Sequence, residues 1–146
     1  MNDLFKLKGV ITLIKFDKNG NIVKEWRHSN LIVNTGLERA AKLLIGLETT
    51  PFQYIAIGSS STAPSNGDTT LGNEVDRVLA GASYESPFKA KLTGIFTFNS
   101  SVTIREAGIF DSLSGGTLLS RVTFSDKNFT AGESVGIIWT IELSRS

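Results

Sequence analysis

Gly9-Val-Ile-Thr-Leu-Ile-Lys-Phe16, Asp17-Lys-Asn-Gly-Asn21 and Ile22-Val-Lys-Glu-Trp-Arg-His28 are consecutive stretches that read together as one β-hairpin. The first is rich in β-branched and aromatic residues, which fit a pleated, half-buried surface. The second supplies Asn19-Gly20, a pair that tolerates the positive φ of a tight turn. The third alternates Ile22, Lys24, Trp26 and His28 against Val23, Glu25 and Arg27, the period of two of a return strand.

Working outward, the same reading places further strands over 53–58, 77–84, 88–99, 101–110, 117–124 and 134–144. Asn99-Ser100, Ser114-Gly115-Gly116 and Ala131-Gly132-Glu133 supply turns between the later ones. Phe96 and Phe98 are expected on one face, with Ile95 and Thr97 on the other. In the closing strand Val135, Ile137, Trp139 and Ile141 share a face. Between the hairpin and these strands lies one helix. Thr35 and Glu38 fit an S/T-x-x-E capping box. Leu37, Ala40, Ala41, Leu44 and Ile45 form a stripe at the helical period, expected to dock on the sheet. Gly46 is placed to end the helix. Ser59 to Asp68 has little to bury and reads as a surface loop, and Leu71 to Val75 as a short helical turn. The expected fold is mainly β: an antiparallel β-sandwich or partly closed barrel of about eight strands, with one short α-helix packed on it. Residues 1–8 are expected as an N-terminal arm and 9–146 as a single β-rich domain.

Composition narrows the function. A chain of 146 residues is one domain's worth, and 40 % hydrophobic with 20 % charged residues is globular in character. Fifteen basic side chains against fourteen acidic ones leave a formal charge of +1, so there is no long-range attraction to nucleic acid or anionic lipid. The absence of cysteine removes disulfides, thiol nucleophiles and thiolate metal sites. No apolar run approaches the roughly 20 residues of a membrane-spanning helix, and Met1 to Lys8 lacks a signal-peptide core, so a soluble product is expected.

Catalytic parts are sparse. His28 is the only histidine and no sequence signature joins it to a carboxylate. Asn66-Gly67-Asp68 with Glu74 and Asp76 offers oxygens for calcium at loose spacing, and turn and cap roles explain these residues as well. Gly-x-Ser-x-Gly and Gly-x-x-x-x-Gly-Lys-Ser/Thr are absent. Arg105 and Glu106 are neighbours on a strand and face opposite sides, so ion pairs with cross-strand partners are expected instead. The basic residues of the first hairpin are a mild excess rather than a binding stripe. The expectation is no enzyme, no cofactor and no metal.

Several motifs stand in a telling order: Asn30-Leu-Ile-Val-Asn34-Thr-Gly36-Leu37, Tyr54-Ile-Ala-Ile-Gly58, Asp68-Thr-Thr-Leu71, Glu74-Val-Asp-Arg77, Ile104-Arg-Glu106-Ala-Gly108-Ile-Phe110-Asp111 and Leu118-Leu-Ser-Arg121-Val-Thr-Phe124. As a set over about residues 7–144 they resemble small virion proteins of tailed bacteriophages, among them the N-terminal domains of tail-collar fibre and other tail-appendage proteins. The resemblance implies a structural role without catalysis, location in the virion after synthesis in the host cytoplasm, and symmetric homo-oligomers, trimers favoured, in contact with other virion proteins. The chain carries no shaft or receptor-binding tip, which turns the expectation toward a tail, baseplate or fibre-adaptor subunit; a capsid-decoration subunit is the alternative. A carbohydrate-binding β-sandwich using Trp26, Trp139, Tyr54 and Tyr84 is another, and a small hydrolase has the least support. Independently of the resemblance, Gly36 and Gly58 stand where the chain must bend or admit another backbone, and Gly108 suggests a bulge or close contact in mid-strand. Glu106 and Arg121 fall on successive strands where they can pair. With Arg77, these five are the candidate fold-specifying residues. Leu4, Phe5 and Leu7 are candidate assembly contacts, with a place in the local core as the competing reading.

Overall fold

The turn of the first hairpin is tied by its own aspartate. In the computed structural model, which describes residues 5–145, Asp17 accepts hydrogen bonds from the Asn19 and Asn21 N–H groups, both at 2.9 Å. Gly20 takes the positive φ of +82° that the Asn-Gly pair foretells. The strands it joins are β1 (Phe5–Phe16) and β2 (Ile22–Ile32), paired from Gly9↔Asn30 to Phe16↔Ile22 with a register shift at the last step. The remaining elements are α1 (Asn34–Leu44), β3 (Tyr54–Gly58), β4 (Glu74–Leu79), β5 (Gly81–Glu85), β6 (Lys89–Thr97), β7 (Val102–Phe110), β8 (Leu118–Phe129) and β9 (Ser134–Arg145).

All nine strands pair antiparallel in the order β4-β3-β7-β8-β2-β1-β9-β6-β5, a nearly closed barrel with one short helix. Mainly β architecture is as expected, with nine strands in place of about eight. The extra strand comes from the stretch expected as one strand over 77–84. It switches partners at Ala80: β4 pairs with β3 and β5 pairs with β6. The Leu71–Val75 helical turn is not formed, because Glu74 and Val75 already belong to β4. The barrel has a weak seam. β2 and β8 share only the pairs Leu31↔Arg121 and Ile32↔Ser120, so most of the facing edge of β2 carries no ladder. The main core fills the barrel with Ile11, Leu13, Phe96, Ile137 and Trp139 among its buried members, and Val135 and Ile141 complete the row expected on β9. A second core of Val33, Ala56, Leu71, Phe110 and Leu118 lies apart from it.

Residues expected as an arm extend β1 where they are described: Phe5 to Lys8 pair with Arg145 to Glu142 of β9. A strand already hydrogen-bonded along one side is cheaper to prolong than to fray, which accounts for the earlier start.

Helix α1 departs from expectation at both its cap and its face. Val33 holds the N-cap position without a side-chain cap bond. The Thr35 hydroxyl donates instead to the Leu118 carbonyl at 3.0 Å, so it anchors the helix to β8 rather than closing a capping box with Glu38. Gly36 is the only buried residue of the helix, and a Cβ there would overlap the Leu119 carbonyl and Cα of β8. Gly46 ends the helix at φ +76°, as expected, with the Leu47 N–H donating to the Lys42 carbonyl at 3.0 Å. The apolar stripe does not dock on the sheet. Leu37, Leu44 and Ile45 are exposed, Leu44 by 75 %. The helix is held by its first turn and by Arg39, whose Nε lies 2.7 Å from the Asp111 carboxylate and Nη1 3.1 Å from Glu48. These ties leave the stripe over the end of the barrel, not against its wall.

Gly36→Ala tests this anchoring. Alanine is the better helix former by about 1 kcal/mol, so a free helix would gain. Here the added methyl meets backbone that cannot rotate away, and overpacking costs about 1–3 kcal/mol. The expected result is a lower midpoint in thermal or urea unfolding; a raised midpoint contradicts the close contact with β8.

Candidate assembly surface

Four of the six candidate fold-specifying residues meet at one buried polar cluster or beside it, and Gly36 stands apart at the contact of α1 with β8. Glu106, on β7, is fully buried. Its Oε1 accepts from the Gly72 N–H at 2.7 Å and the Arg121 Nε at 3.1 Å; its Oε2 accepts from the Asn73 N–H at 2.8 Å and the Ser60 N–H at 2.9 Å. The expected Glu106–Arg121 pair is thus present, with Arg121 Nη2 3.0 Å from Oε1. Arg121 reaches on to Asp68 at 3.0 Å. Burial works to raise the Asp68 carboxyl, but the Ser65 backbone and hydroxyl and Arg121 hold it below the usual carboxylate range. One carboxylate and one guanidinium therefore bind both ends of the 59–73 loop to the sheet. Gly58 makes room for this: a Cβ there would press on the Asn73 carbonyl and the Glu106 carboxylate. Gly108 lets Leu71 and Leu118 close over β7, a Cβ falling 2.8 Å from the Leu71 side chain.

Arg77, the sixth, acts nearby on the β7–β8 connection. It donates to the Ser112 and Gly115 carbonyls, each at 2.8 Å, forks onto Glu74 at 2.6 and 2.9 Å, and lies 3.7 Å over the Phe110 ring. The oxygens considered for calcium are thereby engaged: Asp68 by Ser65 and Arg121, Glu74 by Arg77, Asp76 by the Arg77 N–H. Arg105 pairs with Asp126 across the sheet at 2.8 Å. No group of three His, Asp or Glu side chains is placed to hold a metal among the described residues.

His28 lies at the β2–β8 seam. Its ring stacks on Phe124 with centroids 5.3 Å apart, and Lys127, itself buried, stands 4.9 Å over Trp26 and 5.5 Å over Phe124. These side chains fill the gap where the ladder is missing. Burial, then the charge of Lys127, pushes the His28 imidazole below its ordinary value. Burial, then Lys24, lowers the Lys127 ammonium, against the opposing pull of Asp126. Among the aromatics considered for sugar stacking, Trp139 is in the core, Trp26 is wedged in this seam and Tyr54 packs on the second core. Tyr84 alone is widely exposed, so the four do not share a platform.

The end of the barrel beneath α1 carries a broad apolar groove. The inward-facing rows of β1, β9, β6 and β5 run past the packed core: Leu7 beside Leu143, Ala90 beside Ile141, Ala82 beside Leu92. Across from them stand Leu37, Leu43 and Leu44 of the helix and Phe52 of the following segment. Two hollows of about 620 and 890 Å³ share Ala82, Ser83, Ala90 and Leu143, and the second is rimmed by Tyr84 and Phe88. The lining is almost wholly carbon. Of the three residues expected as assembly contacts, Leu7 lines this groove and packs on the main core. Leu4 lies outside the described residues, and of Phe5 only the backbone pairing with Arg145 is described. Sequence reasoning missed Phe52, Tyr84, Phe88 and Leu143 as groove residues; the signal was available only as apolar residues persisting to the ends of strands. No helix among the described residues is long and apolar enough to cross a membrane. A scan of protein-family models, a search of curated proteins and a search of solved structures each find no match to this chain.

Glu106→Gln replaces a carboxylate facing four donors with an amide that brings a donor of its own. Removing one partner of a buried pair costs about 3–5 kcal/mol, and that loss is expected in urea unfolding, together with protease cleavage in 59–73. Unchanged stability contradicts the central role of this carboxylate. At His28 the sign follows from the lowered folded value. The unfolded chain binds the proton more readily, so stability is complete above the ordinary imidazole value of 6.5 and is lost as pH falls through and below it. Melting temperature should decline over that interval, and His28→Phe, which keeps the ring on Phe124, should flatten the decline.

Proposed function

We propose that this chain is a non-enzymatic structural subunit of a tailed-bacteriophage particle, used in many copies in the tail, baseplate or fibre adaptor and acting through protein–protein contacts. The observation that carries the reading is the apolar end of the barrel. A barrel closed at eight of its strand boundaries keeps one mouth lined with aliphatic and aromatic carbon, beside a helix whose apolar stripe faces solvent. Exposed patches of this kind mark surfaces that other macromolecules cover. The ordered motif set resembling virion proteins supports the same class of role. So does the use made of its polar residues: Glu106, Arg121 and Arg77 are spent on fixing loops, not on an open cleft. Homo-oligomer contacts, with a trimer favoured, and contacts to other virion proteins belong to this reading, as does location in the particle.

Particles assembled with an epitope-labelled copy and viewed by immuno-electron microscopy test it. Label at the tail or baseplate is expected. Label spread over the head shell would move the protein to capsid decoration, and particles that exclude the labelled chain while forming normally would overturn the reading.

A further inference from the structure

We infer that the groove at the barrel mouth is the surface through which one copy of this chain docks on a second copy. The inference rests on the assembly reading above and names its first partner. Leu37 and Leu44 on the helix side and Tyr84, Phe88 and Leu143 on the strand side are exposed over 42–75 % of their surface. Each leaves on the order of 100 Å² open, so together they reach about 500 Å². Half-buried Phe52 and Leu43 lie between them and add to this. A monomer's largest apolar patch is roughly 300–600 Å², whereas each partner in a stable interface buries about 600 Å² or more. At about 500 Å², with Phe52 and Leu43 adding to it, the groove lies at the upper end of the range for a single chain and approaches one side of the smallest standard interface.

Charge selects a second copy over a partner of marked charge. Three ion pairs internal to the chain stand around the groove: Lys42 with Glu38 at 3.5 Å, Arg39 with Glu48 at 3.1 Å, Lys91 with Glu85 at 3.5 Å; Arg145 is the further charged residue of its lining. No uncompensated cluster of one sign is offered to a complementary protein. A formal charge of +1 sets up almost no repulsion between copies. The strand wall adds a directional element. β5 ends the sheet order, is hydrogen-bonded only to β6, and reads Gly-Ala-Ser-Tyr-Glu with neither lysine nor proline to guard its free edge. Ala82 and Ser83 of that edge line the groove, so backbone donors and acceptors stand beside the apolar floor.

Sedimentation and light scattering of the full chain, from low micromolar to near-millimolar concentration, read the outcome. The expected result is a single defined mass that is a whole multiple of the chain. Leu44→Glu and Tyr84→Glu, on opposite walls and each 70 % or more exposed, should each return the mass to one chain with unchanged circular dichroism and melting temperature. A wild-type monomer at every concentration overturns the inference, as when the chain's own first four residues or a different protein cover the groove. A mass unchanged by either variant, or a polydisperse aggregate, also overturns it. Failure here is separable from failure of the particle reading: a monomer still taken into particles defeats only the docking inference, and a defined oligomer excluded from particles defeats only the particle role.

Discussion

The fold turns on the carboxylate of Glu106. A side chain buried without water must have its lone pairs filled, and Glu106 meets that demand with three backbone N–H groups from Ser60, Gly72 and Asn73 and the guanidinium of Arg121. Those backbone groups lie in a loop with few apolar residues, which could not order itself by burial. The carboxylate gives it a fixed path, and that path delivers Leu71 onto Phe110 and Leu118 to close the second core. Gly58 and Gly108 are the geometric conditions for this, one admitting the carboxylate and the other the leucine. Order thus passes from one charge to a loop, and from the loop to a packed face of the sheet.

Closure of the barrel is uneven, and the β2–β8 seam and the mouth beneath α1 are treated differently. At the β2–β8 seam the missing ladder is replaced by Trp26, His28, Phe124 and Lys127, a set in which the stem of the lysine fills space and its ammonium lies against aromatic faces. The cost is visible in the depressed affinity of His28 for a proton. At the mouth beneath α1 no such filling occurs. The helix is anchored through Thr35, Gly36 and Arg39, and Leu37, Leu44 and Ile45 of its stripe stay exposed. The seam is filled by side chains of β2 and β8, whereas the mouth keeps an open apolar lining among the described residues.

Most of the strands were legible because period-two alternation survives in β1, β2, β6 and β9, whose inner faces pack on a single core. Phe96 and Phe98, and the Val135 to Ile141 row, fall inside as their parity requires. The β4–β5 break was not legible. Ala80 changes neither composition nor period, and a strand that moves from one neighbour to another keeps its local pattern. The cap of α1 misled for a related reason: Thr35 has the spacing of a capping box, but the Leu118 carbonyl is a tertiary acceptor that no local rule contains. The Glu106–Arg121 pair was readable from adjacent strands, whereas the three backbone donors that make it central come from a loop some tens of residues away in sequence. Sequence position alone singles out Leu4, Phe5 and Leu7, while Tyr84, Phe88 and Leu143 gain significance only once β5, β6 and β9 lie side by side.

The stripe on α1 shows how a correct local reading can carry a wrong tertiary conclusion. Its period is helical and the helix forms, yet burial of the stripe on its own sheet would require the helix to lie along the barrel wall. Gly36 pressed on Leu119 and Arg39 held by Asp111 forbid that placement. Amphipathicity marks an apolar face without saying where that face will lie. A glycine, a threonine and the Arg39–Asp111 ion pair fix the helix in a position where Leu37, Leu44 and Ile45 of its apolar face stay exposed.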